Sequence, residues 1–276
     1  MSGALIGIDH AVVAVKDLDA AAGIWRRLGF TLTPKGVHSD FMGTANHCIM
    51  LGDDYVELIG VLKSTPANAH WRKLLQSHEG PAALAFATVD ADLARGEIAG
   101  RGFEPAEPIE FSRPVDLPEG RREAAFRVVR TPLDTVPGMS VFVCHHKTRD
   151  AVWRPEWQRH ANGALGIHRV VAVGDDPKAL AERIARFVGA EALKDGVGFA
   201  IDTGHQPIRV VAPKDLPGPA TGARAPYLAG IAFRTGDIGA VLALLKREGI
   251  PHLAGGKSVI VPPAAATGAI LEFVEI

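Results

Sequence analysis

Cysteine is scarce in this sequence: the 276 residues include two, Cys48 and Cys144, and no CxxC pair. The chain therefore offers neither a disulfide framework nor a cysteine-rich zinc site, and a reducing compartment is expected. The formal net charge is −1, which gives no general attraction to nucleic acid or to an anionic membrane. No apolar run is long enough for a membrane helix, and the first residues lack the features of a signal peptide. We expect a cytoplasmic protein with no nucleic-acid partner and no membrane partner.

Several enzyme signatures are also missing. The sequence has no P-loop, no dinucleotide fingerprint, no HExxH helix and no GxSxG elbow. Its hydrophobic content of 47% and charged content of 22% are ordinary for a globular protein of one large domain or two smaller ones. The function must therefore be sought in the arrangement of individual residues.

One helix signal occurs four times. In each case an aspartate precedes a helix-like stretch, and a glycine ends it twelve or thirteen residues later: Asp17–Gly29, Asp90–Gly102, Asp176–Gly189 and Asp237–Gly249. An aspartate accepts hydrogen bonds from the free amides of the first turn, and glycine adopts the left-handed conformation that ends a helix. Because each stretch follows one apolar strand and precedes further strand-like runs, the pattern predicts four βαβββ modules.

These modules predict the fold class. One helix covers one face of each small sheet, and the other face is buried most simply if the sheet curls against a neighbouring module. The predicted fold is α+β, with four βαβββ modules paired into two curled mixed-sheet domains. We assign residues 1–150 to an N-terminal domain, 151–165 to a connector and 166–276 to a degenerate C-terminal domain. Trp153 and Trp157 make the connector too apolar for a flexible tether, so it is predicted to be ordered.

Paired βαβββ modules resemble the vicinal oxygen chelate superfamily, which includes glyoxalases, bleomycin resistance proteins and extradiol dioxygenases. The local sequence is more similar to the glyoxalase-like domain proteins of that superfamily. The similar segments are "IDHAVVAVKDLDAAAGIWRRLGF", "HSDFMGTANHCIMLGDDYVELIGV" and "FVCHHKTRDAVWRPEWQRHANGA". The module resemblance covers almost the whole chain, whereas these segments lie between Ile8 and Ala164. The resemblance implies a metal-dependent enzyme that acts on a small, vicinally oxygenated compound.

Two residues of the first module are candidate metal ligands. Strand alternation places Tyr55, Glu57 and Ile59 on one face, and a buried Glu57 requires a cation or must become neutral. In the resembled superfamily, the first and last strands of a module carry metal ligands, and these positions match His10 and Glu57. A surface histidine and a glutamate in a salt bridge would explain the same residues without a metal.

The second module must supply the remaining ligands. Its first strand offers Leu84 opposite His10, and its last strand ends in His145 and His146, of which at most one faces the cavity. The resemblance favours His146, so the predicted ligands of a divalent metal (Fe, Mn, Ni or Zn) are His10, Glu57 and His146. Glu57 is also the predicted catalytic residue. This set departs from the four-ligand glyoxalase pattern, which leaves lyase, isomerase and dioxygenase chemistry open.

Polar residues near this site are candidates for substrate binding. We predict that His38, Thr44 and Asn46 contact the substrate, although a plain turn would also explain the GTAN segment. Three arginines flank a proline-rich loop in the second module: Arg113, Arg121 and Arg122. They can clamp a carboxylate or a phosphate, or they can form a solvated charge cluster.

The C-terminal half carries a thinner copy of the site. Aligning the two VVAV tetrads matches His168 with His10, and Glu272 is the last-strand carboxylate that matches Glu57. Gly230 offers no ligand where ring-cleaving relatives have a histidine, so the N-terminal site is predicted to be the functional one. His168 and Glu272 remain candidates for a weak second site.

Three functions remain open at this point. The first is the metal-dependent enzyme, and the second is a protein that sequesters a small molecule without chemistry. In the third, both sites are lost and the fold serves assembly. The expected partner is a small molecule, and a homodimer is left open.

Overall fold

The computed structural model describes residues 3–117, 119–219 and 221–276, which form two eight-stranded mixed sheets and five α-helices. The strands of the first sheet are β1 (Ile8–Val15), β2 (Gly36–Val37), β3 (Thr44–Met50), β4 (Tyr55–Val61), β5 (Gly80–Ala87), β6 (Ile109–Leu117), β7 (Gly120–Arg130) and β8 (Ser140–His146). Those of the second are β9 (Ala164–Val173), β10 (Ala192–Asp195), β11 (Gly198–Ile201), β12 (Ile208–Val211), β13 (Tyr227–Thr235), β14 (Leu253–Gly255), β15 (Ser258–Val261) and β16 (Ile270–Glu275).

Both sheets have the same internal symmetry. The strand order is β2-β3-β4-β1-β5-β8-β7-β6 in the first sheet and β10-β11-β12-β9-β13-β16-β15-β14 in the second. In each sheet the first strands of two modules form the central antiparallel pair, and each first strand pairs in parallel with the last strand of its own module. The predicted α+β fold of four βαβββ modules in two curled sheets is confirmed.

Four of the five helices begin and end where the sequence pattern predicted. They are α1 (Leu18–Arg27), α3 (Ala91–Gly100), α4 (Pro177–Val188) and α5 (Ile238–Arg247), and an aspartate side chain caps each one. The glycine that follows each helix has a positive φ, between 65° and 89°. Helix α2 (Ala69–Ser77) was not predicted; it follows β4 and packs on the concave face of the first sheet. No helix among the described residues is long and apolar enough to span a membrane.

The two sheets share one hydrophobic core. Val13 and Val15 of β1 belong to a cluster that continues into the second sheet, whereas Val12 and Ala14 face the concave side of the first sheet. The Phe30 ring lies 5.0 Å from that of Phe233 across the boundary. Between β8 and β9 the chain is packed rather than extended into solvent, since Ala151 and Asn162 are fully buried. The concave face of the first sheet is thus backed by the core that the two sheets share.

Candidate functional site

The concave face of the first sheet encloses a cavity of about 450 Å³. This volume is in the usual range for small-molecule sites. Its wall includes one polar cluster, formed by His10, His38, Thr44, Asn46 and Glu57. Most of the remaining wall is apolar and includes Val12, Ile59, Trp71, Phe111, Phe126, Val128 and Phe142. The cavity is suited to a compound with an apolar body and a polar group.

A β-bulge in β1 creates the polar cluster. Ile8 pairs with Phe86 and His10 pairs with Ala85, so Asp9 is an extra residue in the ladder. A bulge breaks the alternation of side chains and re-aims them. Asp9 can therefore lie beside His10 instead of on the opposite face, with its Oδ2 at 2.7 Å from His10 Nδ1.

Asp9 is a buried anion held between two histidines. The same Oδ2 atom lies 3.1 Å from Nε2 of His146. Burial alone would raise the pKa of Asp9, but the charge of His146 and the hydrogen bonds from both histidines together outweigh it and hold that pKa well below its usual range. The Asp9 carboxylate accepts a hydrogen bond from Nδ1 of His10, which orients the ring so that Nε2 faces Glu57.

Nε2 of His10 lies 3.6 Å from Oε2 of Glu57. The imidazole is stacked on Tyr55 at a centroid distance of 4.3 Å, which fixes the plane of the ring. Asn46 Nδ2 donates a hydrogen bond of 2.7 Å to the other carboxylate oxygen, Oε1 of Glu57. One nitrogen and one oxygen donor are thus presented side by side by two paired strands.

His38 stands on the other side of the Glu57 carboxylate. Its Nδ1 lies 2.7 Å from Thr44 Oγ1, and its Nε2 lies 3.9 Å from Glu57 Oε1. Burial lowers the pKa of His38; Glu57 opposes this shift and the positive charge of Arg113 adds to it. His38 is therefore neutral near pH 7 and keeps a nitrogen that can accept a proton or a ligand bond.

The structure does not bring His146 into the cavity. Its Nε2 faces Asp9, and neither His146 nor His145 is among the residues that line the cavity. Leu84 also departs from the prediction, because it faces the core between the sheets and Ala83 takes the place on the cavity wall. The residues of the second module that lie opposite His10 are Ala83 and Phe142, and neither side chain can bind a metal.

The candidate site in the second half is not a copy of the first. Ile167 pairs with Phe233 and Arg169 pairs with Ala232, so His168 is the bulged residue and corresponds to Asp9. The match of His168 with His10 was therefore wrong by one residue, and a shift of one residue exchanges the two faces of a strand. The position of His10 is occupied by Arg169.

Glu272 likewise does not correspond to Glu57. It lies on β16, whereas the strand equivalent to β4 is β12, and its carboxylate forms an ion pair with Arg169. The cavity beside Glu272 has a volume of about 10 Å³, which is room for a single water molecule. His168 is not among the residues that line this cavity.

His10 and Glu57 fit a divalent metal. Two ligands at about 2.1 Å from a tetrahedral ion lie about 3.4 Å apart, and the His10–Glu57 distance is 3.6 Å. A carboxylate on the second nitrogen of a metal-binding histidine is a common supporting contact, and Asp9 supplies it. A second group of potential metal ligands among the described residues consists of Asp9, Cys144 and His146, whose ligand atoms lie within 4.8 Å of one another.

Comparisons with known proteins identify the family of this chain. A family model described as "Glyoxalase-like domain" matches residues 8–188. The chain belongs to the glyoxalase-like domain family. The match includes the whole cavity and ends at the last residue of α4. A search of the curated proteins gives no match.

Solved structures show the same vicinal oxygen chelate fold over the full chain. A hypothetical protein from Staphylococcus aureus has a TM-score of 0.69 at 11% identity and covers 98% of this chain and 99% of its own. A mutant of 4-hydroxymandelate synthase from Streptomyces coelicolor has a TM-score of 0.63 at 13% identity, with 98% and 92% covered. A xylose isomerase-like TIM barrel/4-hydroxyphenylpyruvate dioxygenase fusion protein has a TM-score of 0.64 at 15% identity, with 100% and 50% covered.

Sequence reasoning predicted no role for Asp9 and left two roles open for Arg113. Asp9 directly precedes His10 in the sequence, and strict strand alternation would point the two side chains to opposite faces; the bulge brings them together. Arg113 stood in the sequence among charged residues of a presumed loop, whereas it lies on β6 and lines the cavity. Arg122 of the same group pairs with Asp150 outside the cavity.

Proposed function

We propose that this protein is a metal-dependent enzyme that acts on a small oxygenated compound in the N-terminal cavity. The observation that carries the proposal is the position of His10. Its Nε2 faces Glu57 at 3.6 Å, and its Nδ1 is bound to the buried Asp9. This arrangement aims an imidazole nitrogen and a carboxylate oxygen at one point of the cavity wall.

His10 and Glu57 would hold the metal, and His38 offers a further nitrogen donor, since its Nε2 is 3.9 Å from the Glu57 carboxylate. The bound ion would act as a Lewis acid that polarises a substrate oxygen. Neutral His38 accepts a proton or a hydrogen bond from the substrate, and Glu57 can carry a proton between positions on it. The apolar wall keeps water from the reacting group. The choice among lyase, isomerase and dioxygenase chemistry depends on the metal and on the substrate.

Metal content tests this proposal directly. Protein purified without added metal, or stripped and titrated separately with Fe²⁺, Mn²⁺, Ni²⁺ and Zn²⁺, should bind one ion per chain. His10→Ala and Glu57→Gln should each lose most of it, because each removes one of two adjacent ligands. His168→Ala is the matched control in the second half and should retain the metal. Equal loss in the His10 and His168 variants would contradict the placement of the site.

A second function is favoured by one observation. The strands of the second module present Ala83 and Phe142 to His10, so this side of the cavity adds no ligand. The protein would then be a binding protein that encloses a small molecule without chemistry. Wild-type protein that binds an apolar ligand but takes up none of the four metals would support this alternative over the enzyme.

A further inference from the structure

We propose that the ligand of the N-terminal cavity carries a single carboxylate that pairs with Arg113, on an apolar body that fills the aromatic part of the wall. The inference deepens the proposed function by naming the substrate class of the same site. It also applies if the protein only binds the ligand.

Arg113 reaches the polar cluster from the opposite module. Arg113 lies on β6, and its guanidinium approaches Gly36 of β2. A β-carbon placed on Gly36 would lie 3.3 Å from Nη1 of Arg113. Gly36 pairs with Asn46 of the polar cluster. Its charge lowers the pKa of His38, and it opposes the rise in the pKa of the Cys48 thiol that burial causes. His38 and Cys48 both line the cavity, so the guanidinium acts on its interior.

The described part of the chain gives Arg113 no hydrogen-bond or ion-pair partner. Two other arginines of the β6–β7 hairpin have partners, since Arg122 pairs with Asp150 and Arg127 pairs with Asp92. Arg130 of β7 also lines the cavity, and of these arginines only Arg113 lies beside Gly36 and the polar cluster. A half-buried guanidinium has lost part of its hydration, and an anion that accepts two parallel hydrogen bonds restores the loss. A carboxylate matches that fork geometry.

The rest of the cavity limits what can carry the carboxylate. Phe111 and Phe126 are stacked at 5.1 Å beside Arg113, and Val128 and Phe142 continue the apolar wall. The cavity of about 450 Å³ has the volume of about 15 water molecules at about 30 Å³ each, which is room for a small organic acid. Asn46 is hydrogen-bonded to the Glu57 carboxylate. A doubly charged phosphate bound nearby would be repelled by Glu57 more strongly than a singly charged carboxylate. The favoured class is an aryl or alkyl monocarboxylic acid.

Binding of three matched probes tests the inference on metal-stripped, full-length protein. Phenylacetate, the neutral phenylacetamide and phenyl phosphate are titrated by calorimetry. Wild-type protein should bind phenylacetate at least tenfold more tightly than either of the other probes. Arg113→Gln should lose the preference for phenylacetate over the amide, and Arg122→Gln, the matched control on the same hairpin, should keep it. If Arg113→Gln does not fold, Arg113→Lys should reduce the preference several-fold, because lysine keeps the charge but not the fork.

Three results would overturn the inference. They are equal binding of acid and amide by the wild type, a preference that survives in the folded Arg113 variant, and tighter binding of phenyl phosphate. The test needs no metal and no turnover. The two tests are therefore independent. The protein can bind metal through His10 and Glu57 without preferring carboxylates, or prefer carboxylates without binding metal.

Discussion

At the scale of single residues, the site depends on Asp9 as much as on the residues that face the ligand. Asp9 is 2% exposed and bonds His10 at 2.7 Å and His146 at 3.1 Å. We predict that Asp9→Asn weakens metal binding about 10- to 100-fold, which is typical when the supporting carboxylate of a metal-binding histidine is removed. The measurement is a titration of stripped protein with the ion that the wild type retains.

The control for this prediction is Asp175→Asn, an equivalent change at an exposed position of the second half. It should leave metal affinity unchanged. Chemical denaturation of both variants separates the effect on His10 from a loss of stability. An Asp9 variant that folds and binds metal as tightly as the wild type would show that His10 needs no carboxylate to orient it.

At the scale of secondary-structure elements, helix α2 is the least anchored wall of the cavity. It has no fully buried residue, and it packs on Val12 and Ile59 through the half-buried Trp71, Leu74 and Leu75. Elements with few buried contacts open locally at low free energy. We predict that amides of residues 69–77 exchange with deuterium at least tenfold faster than those of β1, and that Trp71→Ala raises this rate further. Equal protection of α2 and β1 would contradict the prediction.

The helices and strands show what the sequence can and cannot predict. Short-range capping chemistry repeats in the sequence, so Asp17 and its three counterparts located four helices. Strand alternation correctly placed Tyr55, Glu57 and Ile59 on one face. A bulge has no local signature, since it depends on the register with a partner strand. For that reason Asp9 was assigned no role, and His168 was aligned with His10 instead of with Asp9.

The long hairpin of β6 and β7 illustrates a second limit. The proline and glycine content of residues 113–120 predicts a surface loop, but β6 continues to Leu117. Arg113 meets Gly36 at the far side of the curled sheet only because that sheet nearly closes. Contacts across a closing sheet depend on curvature, which the pattern of apolar residues does not specify. The polar cluster was therefore predictable within one module and not between modules.

At the scale of the whole molecule, Asp54 joins the two sheets. It is fully buried in the turn before β4 and accepts hydrogen bonds from the amide of Ile167 in β9, at 2.9 and 3.1 Å. Gln206 of the second half donates another bond of 2.6 Å to the same carboxylate and accepts one from the amide of Ile8. One carboxylate therefore links the strand that carries His10 to the second sheet.

This link should make the stability of the molecule depend on pH. Burial raises the pKa of Asp54 to about 6, because the hydrogen bonds from Ile167 and Gln206 only partly compensate for lost hydration. The pKa in the unfolded chain is near its ordinary 3.8, so between these values the native state binds more protons than the unfolded state. Stability then falls as pH rises through this window, by up to about 3 kcal/mol for a shift of about two units. In urea unfolding, the stability of wild type minus that of Asp54→Asn should decrease by about 2 kcal/mol from pH 4 to pH 7, because the unfolded chain is already partly ionised at pH 4. The control is Asp53→Asn, because the Asp53 side chain is 83% exposed; the stability of wild type minus that of this variant should stay nearly constant with pH. If the difference for Asp54→Asn is constant as well, ionisation of Asp54 does not destabilise the native state and the prediction is wrong.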